Sequence, residues 1–183
     1  MADCVVVVLE GEIAAAIVAL WADLGRRWGM GRSHAVGGPH LTLAILQGDR
    51  GSDALRASLA TRTREWTPFR VTGAGYGVFV GHGLESPVLH LAITRTPGLS
   101  ALHEAVLHEV AAAGLHVDGQ SLPEYWRPHV TLADTGLTPE SLGEAMRSLV
   151  ERGPRHWTLD VNNVAVITDG GHVALQLPLQ GLG

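Results

Sequence analysis

Residues 5–9 form an unbroken apolar, largely β-branched run closed by Glu10, Gly11 and Glu12, the pattern of a buried strand. The period then becomes helical. Ile13, Ile17, Leu20, Leu24 and Trp28 return at three- and four-residue steps through an Ala- and Leu-rich stretch, which predicts a helix over 12–28 and a Gly-rich loop over 29–39. Residues 40–46 read as a strand, and Ser52 or Asp53 then caps a helix running to about Glu65, whose Arg62, Arg64 and Glu65 make a solvated face. Two strands are predicted over 69–80 and 88–93, with a turn across 81–87. Ser100 caps the next helix, which stops at Gly114, and residues 114–128 make a long connection. A strand follows over 129–133. Thr138-Pro139-Glu140-Ser141 opens a helix that ends by Gly153, and residues 157–167 and 172–179 alternate as a closing hairpin across Asp169-Gly170-Gly171.

Laid end to end, these elements run strand, helix, strand, helix, strand, and then repeat with one extra strand. One segment shows the repeat in its letters. Pro39-His40-Leu41-Thr42-Leu43-Ala44 and Pro128-His129-Val130-Thr131-Leu132-Ala133 differ only by a Leu/Val exchange and stand 89 residues apart, close to half of the 183-residue chain.

Strand side chains alternate between faces, so His40 and Thr42 project together while Leu41 and Leu43 enter the opposite layer; His129 and Thr131 behave likewise. Brought together around a pseudo-twofold axis, the four polar groups suit in-line displacement at phosphorus. One neutral imidazole takes a proton from water and one protonated imidazole gives a proton to the departing ribose oxygen. Histidine suits both tasks because its ordinary pKa is about 6.5. The threonine hydroxyls can donate to the non-bridging phosphate oxygens. A single His-any-Thr tripeptide is weak, since ten histidines produce roughly one by accident, whereas six matched positions in equivalent halves are not accidental. The bland alternative is a duplicated structural strand, and it would place an ionisable ring in an apolar strand without benefit.

Composition narrows the substrate. With 46% hydrophobic residues the chain supports one globular unit, and a formal charge of -5 disfavours long nucleic acid, whose affinity comes from many basic side chains. Cys4 has no partner for an intramolecular disulfide and reads as a small core residue, which points to a reducing, cytoplasmic setting. Acidic residues interrupt the apolar N-terminal stretch, so neither a signal peptide nor a membrane span is expected.

The paired PHLTLA and PHVTLA segments, with the Tyr125-Trp126-Arg127-Pro128 approach and the closing hairpin, resemble the 2H phosphoesterase superfamily in its LigT-like, 2'-5' RNA ligase branch, over nearly the whole chain. The resemblance implies an α+β fold in which two antiparallel sheets form a central cleft with helices outside. It implies one domain over 1–183 with pseudo-symmetric lobes of about 1–80 and 86–183, the exchange of elements between lobes being left open. It further implies a metal-independent RNA 2',3'-cyclic phosphodiesterase that yields a 2'-phosphate, with reversible 2'-5' ligation in some members. His40 and His129 carry over as catalytic residues, Thr42 and Thr131 as phosphate-binding residues. No cofactor is implied, and the partners are RNA cyclic-phosphate ends or small cyclic nucleotides bound by a monomer.

One departure is Asp134, which stands where many relatives carry a basic residue. Arg127 beside the motif, or Arg32 before the first one, can meet phosphate charge instead. Tyr125 and Trp126 can stack on a nucleobase or pack under the long loop, Tyr76 and Phe79 favour core packing, and His34 is a candidate for the cleft wall. Gly73-Ala74-Gly75-Tyr76-Gly77 is followed by strand-like residues, so it reads as a bulge and not a dinucleotide loop, and there is no Walker-type loop. The remaining histidines lack Cys partners or spaced acidic ligands, so no metal site is expected and most are read as surface or locally bonded groups. Two alternatives stay open: a nucleotide- or RNA-end-binding module with little catalysis, and a metallohydrolase.

Overall fold

In a computed structural model of the chain, residues 3–32, 37–47, 53–80, 87–152, 157–168 and 171–182 are described. Ser52, the turn predicted over 81–87 up to residue 86, Gly153, and Asp169 and Gly170 lie outside them.

The first half contributes β1 (Cys4–Val8), α1 (Gly11–Trp28), β2 (His40–Gln47), α2 (Asp53–Arg62) and β3 (Phe69–Phe79). α1 turns Ile17, Leu20 and Leu24 inward and stops at Gly29, whose left-handed backbone lets its N–H return to the Gly25 carbonyl. The second half contributes β4 (Val88–Ile93), α3 (Pro97–Ala112), a two-residue β5 (His116–Val117), β6 (His129–Ala133), α4 (Pro139–Glu151), β7 (Thr158–Val161), β8 (Asn163–Ile167) and β9 (Val173–Pro178).

Helix α3 begins a turn earlier than the Ser100 cap predicts. Thr96 caps it by accepting from the Leu99 N–H, and Pro97 fits the first turn because its missing N–H is not needed there. α4 opens as expected, with Thr138 and Ser141 closing a reciprocal capping box. The long connection is partly ordered: β5 pairs with the end of β2, and a 3-10 turn over Gly119–Ser121 is capped by Asp118. Arg62 is not simply solvated, since its Nε donates at 3.0 Å to Glu109 on α3. The Ser58 hydroxyl joins that carboxylate, so α2 and α3 are tied by a polar bridge, and this hydroxyl first and Arg62 next hold Glu109 below the ordinary carboxylate range.

Two antiparallel sheets result, ordered β5-β2-β1-β8-β9 and β6-β4-β3-β7. The halves exchange strands: the first lends β3, which pairs with β4, and the second lends β5, β8 and β9 to the sheet of β1 and β2, with β8 pairing with β1. The stretch predicted as one strand over 157–167 is therefore two, because β7 pairs with β3 in one sheet while β8 enters the other. Asn163 seals the transfer. Its Oδ1 accepts from the Val8 N–H at 3.0 Å and its Nδ2 donates to the Val8 carbonyl at 2.8 Å, replacing a backbone pair at the end of β1. The Gly-rich stretch of β3 carries a register shift between Gly73 and Gly75, the latter at φ 110, as a bulge requires.

The inward faces of both sheets and all four helices share one core, including Val5, Leu41, Leu43, Leu89, Leu91, Val130, Leu132 and Leu159. Each such leucine contributes about 1.5–3 kcal/mol by leaving water. Two motif strands with matching buried faces thus become rigid platforms for their outward side chains. No helix among the described residues is long and apolar enough to cross a membrane.

Candidate active site

β2 and β6 pack beside one another where the two sheets meet. Along β2, His40 and Thr42 are half-buried while Leu41 and Leu43 are fully buried; along β6, His129 and Thr131 are half-buried while Val130 and Leu132 are buried. The entries also match. Pro39 accepts from the Leu9 N–H at the end of β1, and Pro128 accepts from the Ile93 N–H at the end of β4, both at 2.9 Å. A proline before each histidine starts the strand without needing a ladder donor, and it biases the residue ahead of it towards extended backbone.

The two imidazoles are tethered alike. His40 Nδ1 lies 3.0 Å from the Gly38 carbonyl, and His129 Nδ1 lies 2.7 Å from the Arg127 carbonyl, each two residues upstream. A carbonyl can only accept, so Nδ1 carries the hydrogen and Nε2 is the basic nitrogen of the neutral ring. For His129, burial pushes the pKa below the ordinary 6.5, with the Arg127 carbonyl opposing that shift.

A third histidine belongs to this site. His90 on β4 sits opposite Thr131 in the ladder, and its ring lies 5.4 Å from that of His129. Phe79 stacks on His90 at 3.8 Å and meets His129 edge-on at 4.9 Å, so this aromatic residue packs against the second motif. Gly77 makes the arrangement possible, since a Cβ there would stand 2.7 Å from His90 Nε2. By sequence, His90 falls among the surface or locally bonded histidines. The available signal is its place in the apolar run Leu89-His90-Leu91, the same anomaly that marks the motif histidines.

Burial pushes the His90 pKa down to about 4; the Val88 carbonyl opposes this, and charge on His129 adds to it. In the unfolded chain this ring takes up a proton near pH 6.5, whereas in the folded protein it stays neutral until about pH 4. Stability is therefore lost as pH falls through that window, by about 3 kcal/mol from this group alone. Urea unfolding of the wild type and of His90→Asn at pH 7 and pH 5 should show a shallower acid loss in the variant. Equal losses in the two proteins would refute a buried neutral His90.

The other candidate residues are distributed unevenly. Arg127 is exposed, and its carbonyl holds His129. Tyr125 is also exposed, at 62%. Trp126 is 6% exposed and packs under the long connection, one face stacked on His103 at 3.9 Å. Tyr76 packs against the core. His34 lies outside the described residues. The loop carrying Arg32 docks on the end of β6, where Gly31 and Thr135 form an isolated bridge; burial pushes the Arg32 guanidinium below its ordinary range, and the negative charge of Asp134 opposes that shift. No cluster of three or more His, Cys, Asp or Glu side chains among the described residues could hold a metal ion. The Cys4 thiol is pushed up to about 11, first by burial and then by Asp3, and stays protonated at neutral pH.

Against known proteins, the family model for the 2'-5' RNA ligase superfamily matches residues 9–172. The crystal structure of TT0787 from Thermus thermophilus matches with a TM-score of 0.63 and 23% identity, covering 100% of both chains. E. coli LigT complexed with NADP+ matches with a TM-score of 0.60 and 19% identity over 97% of this chain and 94% of that one. The same protein complexed with 3'-AMP gives 0.55 and 23% over the same shares. No curated protein sequence matches the chain. At these identities the structural likeness establishes a LigT-like fold.

Proposed function

The chain belongs to the 2'-5' RNA ligase superfamily, and on that footing we propose that it hydrolyses 2',3'-cyclic phosphates to 2'-phosphates without a metal ion. The observation that carries this reading is the twofold repetition of one constellation: a half-buried histidine with Nδ1 tied to a carbonyl two residues upstream, and a threonine two residues on, on matching strands of the two sheets, one from each half of the chain.

In the proposed reaction, water attacks phosphorus opposite the ribose 3' oxygen. His129, kept neutral by burial, accepts one water proton at Nε2. The bond from phosphorus to O3' breaks, and His40, protonated on both nitrogens, gives its Nε2 proton to that oxygen. One water is consumed, a 2'-phosphate and a 3' hydroxyl are formed, and the two imidazoles regain their starting states by exchange with solvent. Thr42 and Thr131 donate to the non-bridging oxygens. An RNA 5' hydroxyl in place of water turns the same displacement into a 2'-5' ligation. The net charge of -5 favours small cyclic nucleotides or RNA ends over long RNA, and the nucleotides in the LigT crystals are ligands of that size.

The test is turnover of 2',3'-cyclic phosphates of increasing length in excess EDTA, across pH. A bell-shaped kcat/KM is expected, with its acid limb below pH 6.5, because the base is lost only as pH falls through the lowered His129 pKa. An acid limb above pH 7 would exclude His129 as the base, and activity abolished by EDTA would exclude the mechanism. Tight binding of a 2'-nucleotide with no turnover would make the protein a binding module.

A further inference from the structure

We propose that Trp21 and Trp126 are positioning residues that lock the two motif strands to each other through reciprocal indole hydrogen bonds across the halves of the chain. Trp21 Nε1, from α1 in the first half, donates at 3.0 Å to the carbonyl of Thr131. Trp126 Nε1, from the second half, donates at 3.0 Å to the carbonyl of Thr42. An indole N–H has no acceptor capacity, so the direction of both bonds is unambiguous.

Both carbonyls lie where a sheet has run out of partners. β6 is an edge strand, and the outer neighbour of β2, the two-residue β5, reaches only Leu46 and Gln47. An edge carbonyl must find a donor or be solvated, and a large two-torsion ring supplies one with little loss of freedom. Each ring is also gripped on its face. The Arg32 guanidinium carbon lies 3.1 Å from the Trp21 ring centroid, and that of Arg95 lies 5.5 Å from the Trp126 centroid. His103 stacks on Trp126 with an interplanar angle of 2°, and its own Nε2 lies 2.9 Å from the Ser121 carbonyl. Arg95 is anchored by the Pro123 carbonyl and the Ser100 hydroxyl.

The residue at the acceptor end is in each case the proposed phosphate-binding threonine, two positions beyond a proposed catalytic histidine. The halves share no backbone ladder between β2 and β6, since these strands belong to different sheets. The crossed indoles thus tie each motif strand to a segment of the opposite half, β6 to α1 and β2 to the residues that lead into β6, and the relative placement of these strands decides whether two imidazoles can address one phosphorus atom. Displacement by 1 Å is enough to cost about 100-fold in rate.

This inference rests on the two-histidine reading above. Its decisive variants place 3-benzothienylalanine at position 21 or 126, which keeps ring size and replaces N–H by sulfur, beside Trp21→Phe and Trp126→Phe. With adenosine 2',3'-cyclic phosphate, each should lose roughly tenfold or more in kcat while KM changes less than twofold and the melting temperature falls by only a few degrees. If wild type turns over and His40→Ala does not, benzothienyl variants retaining more than half of kcat would overturn the clamp and leave the catalytic reading intact. A loss expressed only as a higher KM would overturn it equally. Should the wild type show no turnover at all, the catalytic reading fails, and the clamp is judged by hydrogen exchange of the indole N–H signals in NMR: slow deuterium exchange at both residues sustains it, and rapid exchange at either removes it.

Discussion

Replacing His40 or His129 by alanine is expected to lower kcat/KM for a 2',3'-cyclic phosphate by about 10³- to 10⁴-fold, and the double variant should be scarcely worse than either single one. The reason is the division of labour in a single displacement. Without an acceptor for the water proton, or without a donor to the departing oxygen, a high-energy ion has to form, and the remaining histidine cannot stand on both sides of phosphorus. The limbs of the pH profile separate the roles. His129→Ala should abolish the acid limb, which reports the base, and His40→Ala the alkaline limb, which reports the acid. Both rings are half-buried and neither belongs to the hydrophobic core, so the variants should fold. Either single variant retaining activity within tenfold of wild type would end the two-histidine mechanism.

The threonines should come next in size. Thr42→Val and Thr131→Val keep the branched shape and the backbone carbonyl that accepts an indole N–H, and remove only the hydroxyl. Loss of one preorganised donor to a developing oxyanion costs about 10²- to 10³-fold in kcat, with a much smaller change in KM if the bond strengthens as charge grows. Thr→Ser at either position should recover most of the rate. If Val and Ser behave alike, the hydroxyls do not touch phosphate, and the matched threonines are retained for strand propensity alone.

Much of the fold was legible because its determinants are local. The helical return of Ile17, Leu20 and Leu24, the Thr138-Pro139 opening and the alternation around His40 and His129 depend on neighbours within a turn or a pleat, and the corresponding elements stand where the pattern put them. The start of α3 departs from the Ser100 expectation for a local reason too: Thr96-Pro97 is the stronger cap signal, despite the glycine that follows it. The division of 157–167 between two sheets has a different, non-local cause. The adjacent polar residues Asn162 and Asn163 interrupt the alternation, but only the partners of the two strands, β3 for one and β1 for the other, turn that interruption into a change of sheet.

The same distinction separates the residues of the site. His90 became part of it only through pairing with β6 and the opening left by Gly77, and Trp126 was withdrawn from solvent only by the stacking of His103 and the bond to Thr42. By itself the sequence determined the family, the elements and the two duplicated His-any-Thr strands, because these are written in short repeats and short-range periodicity. Only the tertiary structure decided which strands each half lends the other, which histidine is surrounded by aromatic rings, and which indoles reach across to the motif carbonyls. Those outcomes depend on contacts across strands and between halves, from Phe79 on His90 to Asn163 on Val8, 155 residues away, and such contacts leave no periodic trace in a single chain.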